Sequence, residues 1–234
     1  MSRKKYPSVA ISYLLIIGFF LSVAYWTGRV TTTVANMIPL EREARIIIDA
    51  GHGGVDGGAI SCAGIPESRY NLEISLKLND LMHLLGYETV MIRREDISVY
   101  TSGETIAAKK VSDLRNRVRI VNEITDGILI SIHQNTFSDS RYSGPQVFYG
   151  RTGEGEELAK ILQLSLNDSL KPDGNRQSKK AEGIYLMDHI RSTGVLIECG
   201  FLSNPAEEMK LRSDTYQQKL CCVIGTTVGN FLDG

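Results

Sequence analysis

The chain has 234 residues, a formal net charge of −1, 23% charged residues and 42% hydrophobic ones. That length supplies one domain with its own core and is short for two large ones. With no basic stripe beyond the N-terminus there is no footprint for nucleic acid, and with no internal repeat a solenoid or propeller is excluded.

The first stretch stands apart. "MSRKK" is basic, and "VAISYLLIIGFFLSVAYW", residues 9–26, carries no charge. Such a run is near the lower limit for spanning a bilayer, and the leading cations favour a cytoplasmic N-terminus. A removable signal peptide is the competing reading, with Ser22 and Ala24 as a small-residue cleavage site. Either reading exports the rest of the chain. Residues 1–27 are therefore assigned to an anchor or signal segment, the polar and unpatterned 28–44 to a linker, and 45–234 to the globular domain.

"RIIID" is a β-branched run suited to a buried strand, and it ends in a glycine-rich turn around His52. "NLEISLKLNDLMHLLGY" places Leu72, Leu76, Leu78, Leu81, Met82 and Leu85 at helical spacing, with Gly86 as the stop. "ETVMIRR" predicts a second strand, and "SDLRNRVRIVNEIT" a helix opened by Ser112 as N-cap. "DGILISIH" is a third strand, "GPQVFYG" a shorter one, and 154–170 a helix. "GIYLMD" and "GVLIE" read as two more strands, and 206–212 and 214–232 as closing helices. Alternating strands and helices predict an α/β fold: a mostly parallel sheet of about six strands with helices on both faces. Cys62, Cys199, Cys221 and Cys222 form no disulfide framework and are expected as free buried thiols. No C-x-x-C occurs, so a thiolate zinc site is unsupported.

In a parallel sheet, ligands bind beyond the carboxyl ends of the strands. His52 follows the first strand, His133 ends the third and Glu198 ends the last. The glycines beside His52 do not make a phosphate loop. No Lys follows them as a Walker loop requires, and the dinucleotide spacing lands on Asp56, a carboxylate where pyrophosphate would approach. They are better read as giving a tight turn and bare backbone. His83, within an amphipathic helix, reads as ordinary packing, and His189 as a surface histidine.

His52 and His133 together point to zinc, which in catalytic sites takes three protein ligands and leaves one position open. The third ligand stays open on this reasoning. Glu67 follows Pro66 at a helix start, where an acid also complements the helix dipole; Asp49 and Asp56 are alternative oxygen ligands. Glu198 closes an apolar strand, where an unpaired charge is costly. It is expected to face a cation or act in proton transfer, the competing reading being a salt bridge to Arg115, Arg117 or Arg119.

"DAGHGGVDGGA", "PESRYNL", "SIHQN" and "VLIECGFLSNPAE" resemble the motifs of the zinc-dependent N-acetylmuramoyl-L-alanine amidases of the amidase-3 type, and the resemblance covers nearly all of 45–234. Ala50 stands where Pro is usual and Ser68 where Lys is usual. By position, the resemblance implies one zinc per chain on His52, Glu67 and His133, with Glu198 as general acid/base and Asn135 and Arg117 in supporting or substrate-binding places. It implies peptidoglycan as the substrate, cut between muramic acid and L-alanine outside the cytoplasmic membrane. "DLRNRVRIVN" and "GIYLMDHIRSTGVLIECGFLSNP" further resemble the germination-specific members of that family in spore-forming bacteria. That likeness implies a place at the spore cortex, a functional link to a muramic acid deacetylase on the way to muramic-δ-lactam, and room for an activating protein partner. Outside that reading stand a non-catalytic, metal-stabilised wall-binding module and a different zinc peptidase.

Overall fold

Nine consecutive residues of the first strand, β1 (Arg42–Ala50), run through the middle of a sheet because Ile46, Ile47 and Ile48 have apolar cover on both faces. The computed structural model describes residues 18–19, 21–25, 42–151, 153–171 and 174–234. Residues 18–19 and 21–25 are helical and exposed. Among the described residues no helix is long and apolar enough to cross a membrane. Most of the segment expected over 9–26 and most of the linker expected over 28–44 lie outside the described residues, and β1 begins inside the stretch read as linker.

The other strands are β2 (Tyr87–Met91), β3 (Gly127–Asn135), β4 (Gln146–Tyr149), β5 (Lys179–Lys180) and β6 (Thr193–Phe201). The helices are α1 (Glu67–Leu84), α2 (Ile106–Glu123), α3 (Gly153–Leu170), α4 (Tyr185–His189), α5 (Pro205–Leu211) and α6 (Asp214–Leu232). The sheet order is β2-β1-β3-β6-β4-β5. Strands β2, β1, β3 and β6 are parallel, while β4 runs antiparallel to β6 and pairs parallel with β5. The sheet is thus mixed, with a parallel centre.

Alternation along the central strands separates two cores. Ile46, Ile48, Ile130 and Ile197 pack with α1, α3 and α6 residues such as Leu78, Leu162 and Ile224. Ile47, Leu129 and Leu196 face the other way, onto Val121 of α2 and Leu186 and Met187 of α4. Apolar side chains on both faces give central strands that read as continuous hydrophobic runs.

Three expectations need correction. "GIYLMD" forms α4 instead of a strand, burying Leu186 and Met187 against the sheet; a short apolar run has too few periods to distinguish the two. The sixth strand is instead the exposed pair Lys179–Lys180, whose composition suits a protected edge. Helix α2 starts at Ile106, ahead of Ser112, and is capped by Thr105, whose side chain accepts from Ala108 N at 3.2 Å. Ser112 lies within the helix and its Oγ accepts from the backbone of Thr101 and Ser102, tying down the incoming loop. All four cysteines are free, but only Cys199 and Cys221 are buried.

Ile130 is fully enclosed in the central strand, whereas Leu84 is 72% exposed. Ile130→Ala should cost about 2–5 kcal/mol of unfolding free energy and Leu84→Ala less than about 0.5, as read from urea denaturation midpoints.

Candidate metal centre

The carboxyl ends of β1, β3 and β6 meet at one rim. His133 and Glu198 are direct partners in the parallel register of β3 and β6. His52 arrives on the loop after β1 with φ at 60°, a left-handed conformation that side chains other than glycine seldom adopt.

Two buried guanidinium groups hold that loop. Arg93, two residues past the end of β2, donates from Nε to Ala50 O at 2.8 Å and from Nη2 to Gly51 O at 3.0 Å. Arg117, on α2, donates from Nη1 to Ala50 O at 3.0 Å and from Nη2 to His52 O at 2.7 Å. Burial opposes the charge of Arg117, but Asp49 and Asp113 beside it raise its pKa above the ordinary value. Arg117 Nε lies 2.6 Å from Asp113 Oδ2, Nη1 pairs with Asp49, and the other Asp49 oxygen accepts from Ser131 Oγ at 2.7 Å. Burial and the neighbouring Arg117 push Arg93 down to about 10, which leaves it charged at neutral pH.

Glu67 enters from the first turn of α1, turned inward by the extended Pro66 before it. Its Oε1 lies 3.0 Å from His133 Nδ1 and accepts from Gln134 N at 3.1 Å and Asn71 Nδ2 at 3.2 Å. Its Oε2 lies 3.3 Å from His52 Nε2 and accepts from Ala59 N at 3.1 Å. Burial would raise the Glu67 pKa, but His133 and His52 hold it far below the usual carboxylate range. For His52, burial works downward, and Glu67 and Asp56 outweigh it to raise the pKa. One ligand atom from each of His52, Glu67 and His133 lies within 4.8 Å of the others. The glycines make this approach possible. A Cβ on Gly51 would stand 2.2 Å from His133 Nε2, and one on Gly58 would stand 2.7 Å from Glu67 Oε2.

Glu198 shares the cavity, about 230 Å³, with both histidines; Leu114, Ile184, Leu186 and Leu196 line it, and the half-exposed Lys110 borders it. Its Oε2 is fully enclosed with no hydrogen-bond partner, and burial pushes its pKa up to about 7. No arginine neutralises it: Arg117 serves Asp49 and Asp113, Arg119 pairs with Glu123 at 2.7 Å, and Arg115 is exposed. Two imidazoles, a carboxylate and an orphaned buried carboxylate fit a transition-metal ion with one position left for reaction.

The alternative ligands are otherwise engaged, Asp49 with Arg117 and Ser131, and Asp56 with His52 and Lys110. Asn135 contributes a backbone carbonyl, which accepts from Leu202 N at 2.8 Å. His189 is exposed and stacked on Tyr185, and His83 is exposed with its Nε2 2.7 Å from Thr89 Oγ1. Sequence reasoning missed Arg93, Asn71 and Lys110. The signal for Arg93 was a cation directly after an apolar strand at the functional rim, and for Asn71 its place one helical turn after Glu67.

The profile of the amidase-3 family, described as N-acetylmuramoyl-L-alanine amidase, matches residues 46–229. The chain is 37% identical over 181 residues to the germination-specific N-acetylmuramoyl-L-alanine amidase of Bacillus subtilis, with 76% of each protein covered. Among solved structures it is similar to the CwlD amidase of Clostridioides difficile in complex with the GerS lipoprotein, at 36% identity and a TM-score of 0.77, covering 81% of this chain and 98% of that one. An N-acetylmuramoyl-L-alanine amidase of Clostridium difficile 630 follows at 28% identity and a TM-score of 0.70, with 82% and 97% covered.

The pKa of Glu198, about 7 in the fold against an ordinary 4.5, carries a stability consequence. The folded chain binds this proton more tightly than the unfolded chain, so its contribution is complete below the ordinary value and lost as pH rises through about 7. The metal-free Glu198→Gln variant should therefore be more stable than wild type at pH 8, by up to about 3 kcal/mol. That advantage should shrink toward acid pH; an advantage of equal size at both ends would count against the charge as its cause. Urea unfolding of both metal-free proteins across this range measures it.

Proposed function

The chain belongs to the amidase-3 family of N-acetylmuramoyl-L-alanine amidases, and from that premise we propose that it is a zinc enzyme in which His52, Glu67 and His133 hold one ion and Glu198 moves the proton. The bond cut is the amide between the lactyl group of N-acetylmuramic acid and L-alanine of peptidoglycan. The observation that carries the proposal is the enclosed, unpartnered Glu198 Oε2 in the cavity it shares with both histidines.

When bound, zinc supplies Lewis-acid polarisation of the scissile carbonyl and lowers the pKa of water to about 7. Glu198, whose enclosed Oε2 has no other partner in the cavity it shares with both histidines, is placed for both halves of the proton transfer. It accepts the proton of the attacking water and returns it to the alanine nitrogen as the carbon–nitrogen bond breaks. Arg93 and Arg117 keep the His52 loop in place, and Glu67 is fixed by three amide donors besides the histidines. The apolar wall of Leu114, Ile184, Leu186 and Leu196 lowers the local polarity around Glu198.

The similarity to a germination-specific amidase supports a site of action outside the cytoplasmic membrane, at the spore cortex. There, removal of the stem peptide would prepare muramic acid for a separate deacetylase and hence muramic-δ-lactam. Residues 9–26 would anchor or export the enzyme. A lipoprotein is the kind of protein partner supported by the similar C. difficile complex. A purely structural metal site leaves the orphaned Glu198 unaccounted for, and a peptidase would leave the lactyl–alanine bond intact.

The test is purified full chain with zinc on isolated peptidoglycan. Wild type should release new L-alanyl amino termini, identified by product mass spectrometry. Glu198→Gln should lower the rate by about 100-fold or more at the same zinc content. Equal release by both proteins, each carrying one zinc, would sink the proton-transfer role.

A further inference from the structure

We propose that Asp56 is the positioning residue of the metal centre: its carboxylate fixes the tautomer and tilt of His52, so that Nε2 faces the cluster with Glu67 and His133 that would hold the ion. The inference rests on the zinc reading above and assigns a role to the residue that breaks the dinucleotide spacing.

The two histidines are supported differently. His133 stands on β3, with its Nδ1 toward Glu67 Oε1 at 3.0 Å and its Nε2 packed against Gly51. The strand and a bare backbone hold that ring. His52 stands on a loop in a left-handed conformation and needs a partner of its own. The chain doubles back to supply it. Gly53 and Asp56 pair through Gly53 N to Asp56 O at 2.8 Å and Asp56 N to Gly53 O at 3.2 Å. The reversal uses positive φ at Gly53 and Gly54, which side chains would resist. It brings Asp56 Oδ2 to 2.9 Å from His52 Nδ1.

A carboxylate can only accept, so Nδ1 carries the hydrogen, and Nε2 is the nitrogen that would give its lone pair to a bound ion. That Nε2 lies 3.3 Å from Glu67 Oε2, inside the ligand cluster. A carboxylate behind a ligating imidazole orients the ring and makes it a stronger donor. Asp56 is itself held from a distant element, by Lys110 Nζ of α2 at 3.1 Å. That pair is half-exposed and weaker, so Lys110 steadies Asp56 without fixing it alone.

The experiment measures zinc affinity of the metal-free full chain by competition with a chromophoric chelator, alongside its thermal midpoint in chelator and steady-state kinetics at saturating zinc. Asp56→Ala should raise the zinc Kd by about 10–100-fold. Asp56→Asn, which keeps the shape and loses the charge, should raise it by less, and Lys110→Met by less again. The thermal midpoint of the metal-free Asp56→Asn protein should stay at the wild-type value, and kcat at saturating zinc should fall more than KM rises. Zinc affinities of both Asp56 variants within twofold of wild type overturn the inference, and so does a lowered metal-free midpoint with unchanged Kd, which marks a merely structural turn. His133→Ala separates the two readings. If wild type binds one zinc and His133→Ala none, the metal reading stands whatever Asp56 does; if wild type binds none, both fall.

Discussion

The site depends on two buried positive charges behind the loop that carries His52. Arg93 and Arg117 draw the carbonyls of Ala50, Gly51 and His52 inward, and this concentration of donors stabilises a left-handed histidine that local preference opposes. Burying two guanidinium groups side by side is itself costly. Asp49 and Asp113 offset that cost at Arg117, while Arg93 is satisfied mainly by backbone carbonyls, including Ser68 and Glu95. The rim thus rests on a layer of charge that binds the loop after β1 to the segment following β2, to α2 and to the start of α1.

Above that layer the contest is between space and charge. Gly51 and Gly58 leave room for His133 and Glu67 because a single additional carbon at either position would collide with them. Three carboxyl groups, Glu67, Asp56 and Glu198, thus gather around two imidazoles. Glu67 and Asp56 have histidine partners. Glu198 has none at Oε2, and burial raises its pKa. Burial makes the charged form of this carboxylate costly for stability, and the same burial suits it to the proton transfer proposed for it.

Much of the fold was legible along the chain, because the central strands are covered on both faces and read as apolar runs flanked by turns. Central strands β1, β3 and β6 were found that way; the two-residue β5 carries no hydrophobic signal, and α4 is too short to show a helical period. In the site, His52, His133 and Glu198 could be singled out because a polar group at the end of a buried strand needs a reason. Glu67 had an equally good reason to be a helix-dipole residue, and only resemblance to a family favoured it. Asp56 was visible as an exception to a motif, with nothing local to say which atom it would meet.

What the sequence by itself determined was the chemistry on offer: two imidazoles and a carboxylate at strand ends, and glycines where close approach would be needed. That follows from burial, since a strand with apolar cover on both faces forces its terminal polar residue toward the rim. The tertiary structure alone decided which carboxylates do what. Asp49 goes to Arg117, Asp56 to His52, Glu67 between the two histidines, and Glu198 to none, because these assignments depend on distances across the fold, and even the nearby Asp56 reaches His52 only through the turn between them. Electrostatics and hydrogen bonding act across space over a few ångströms, and the order of residues does not contain those distances.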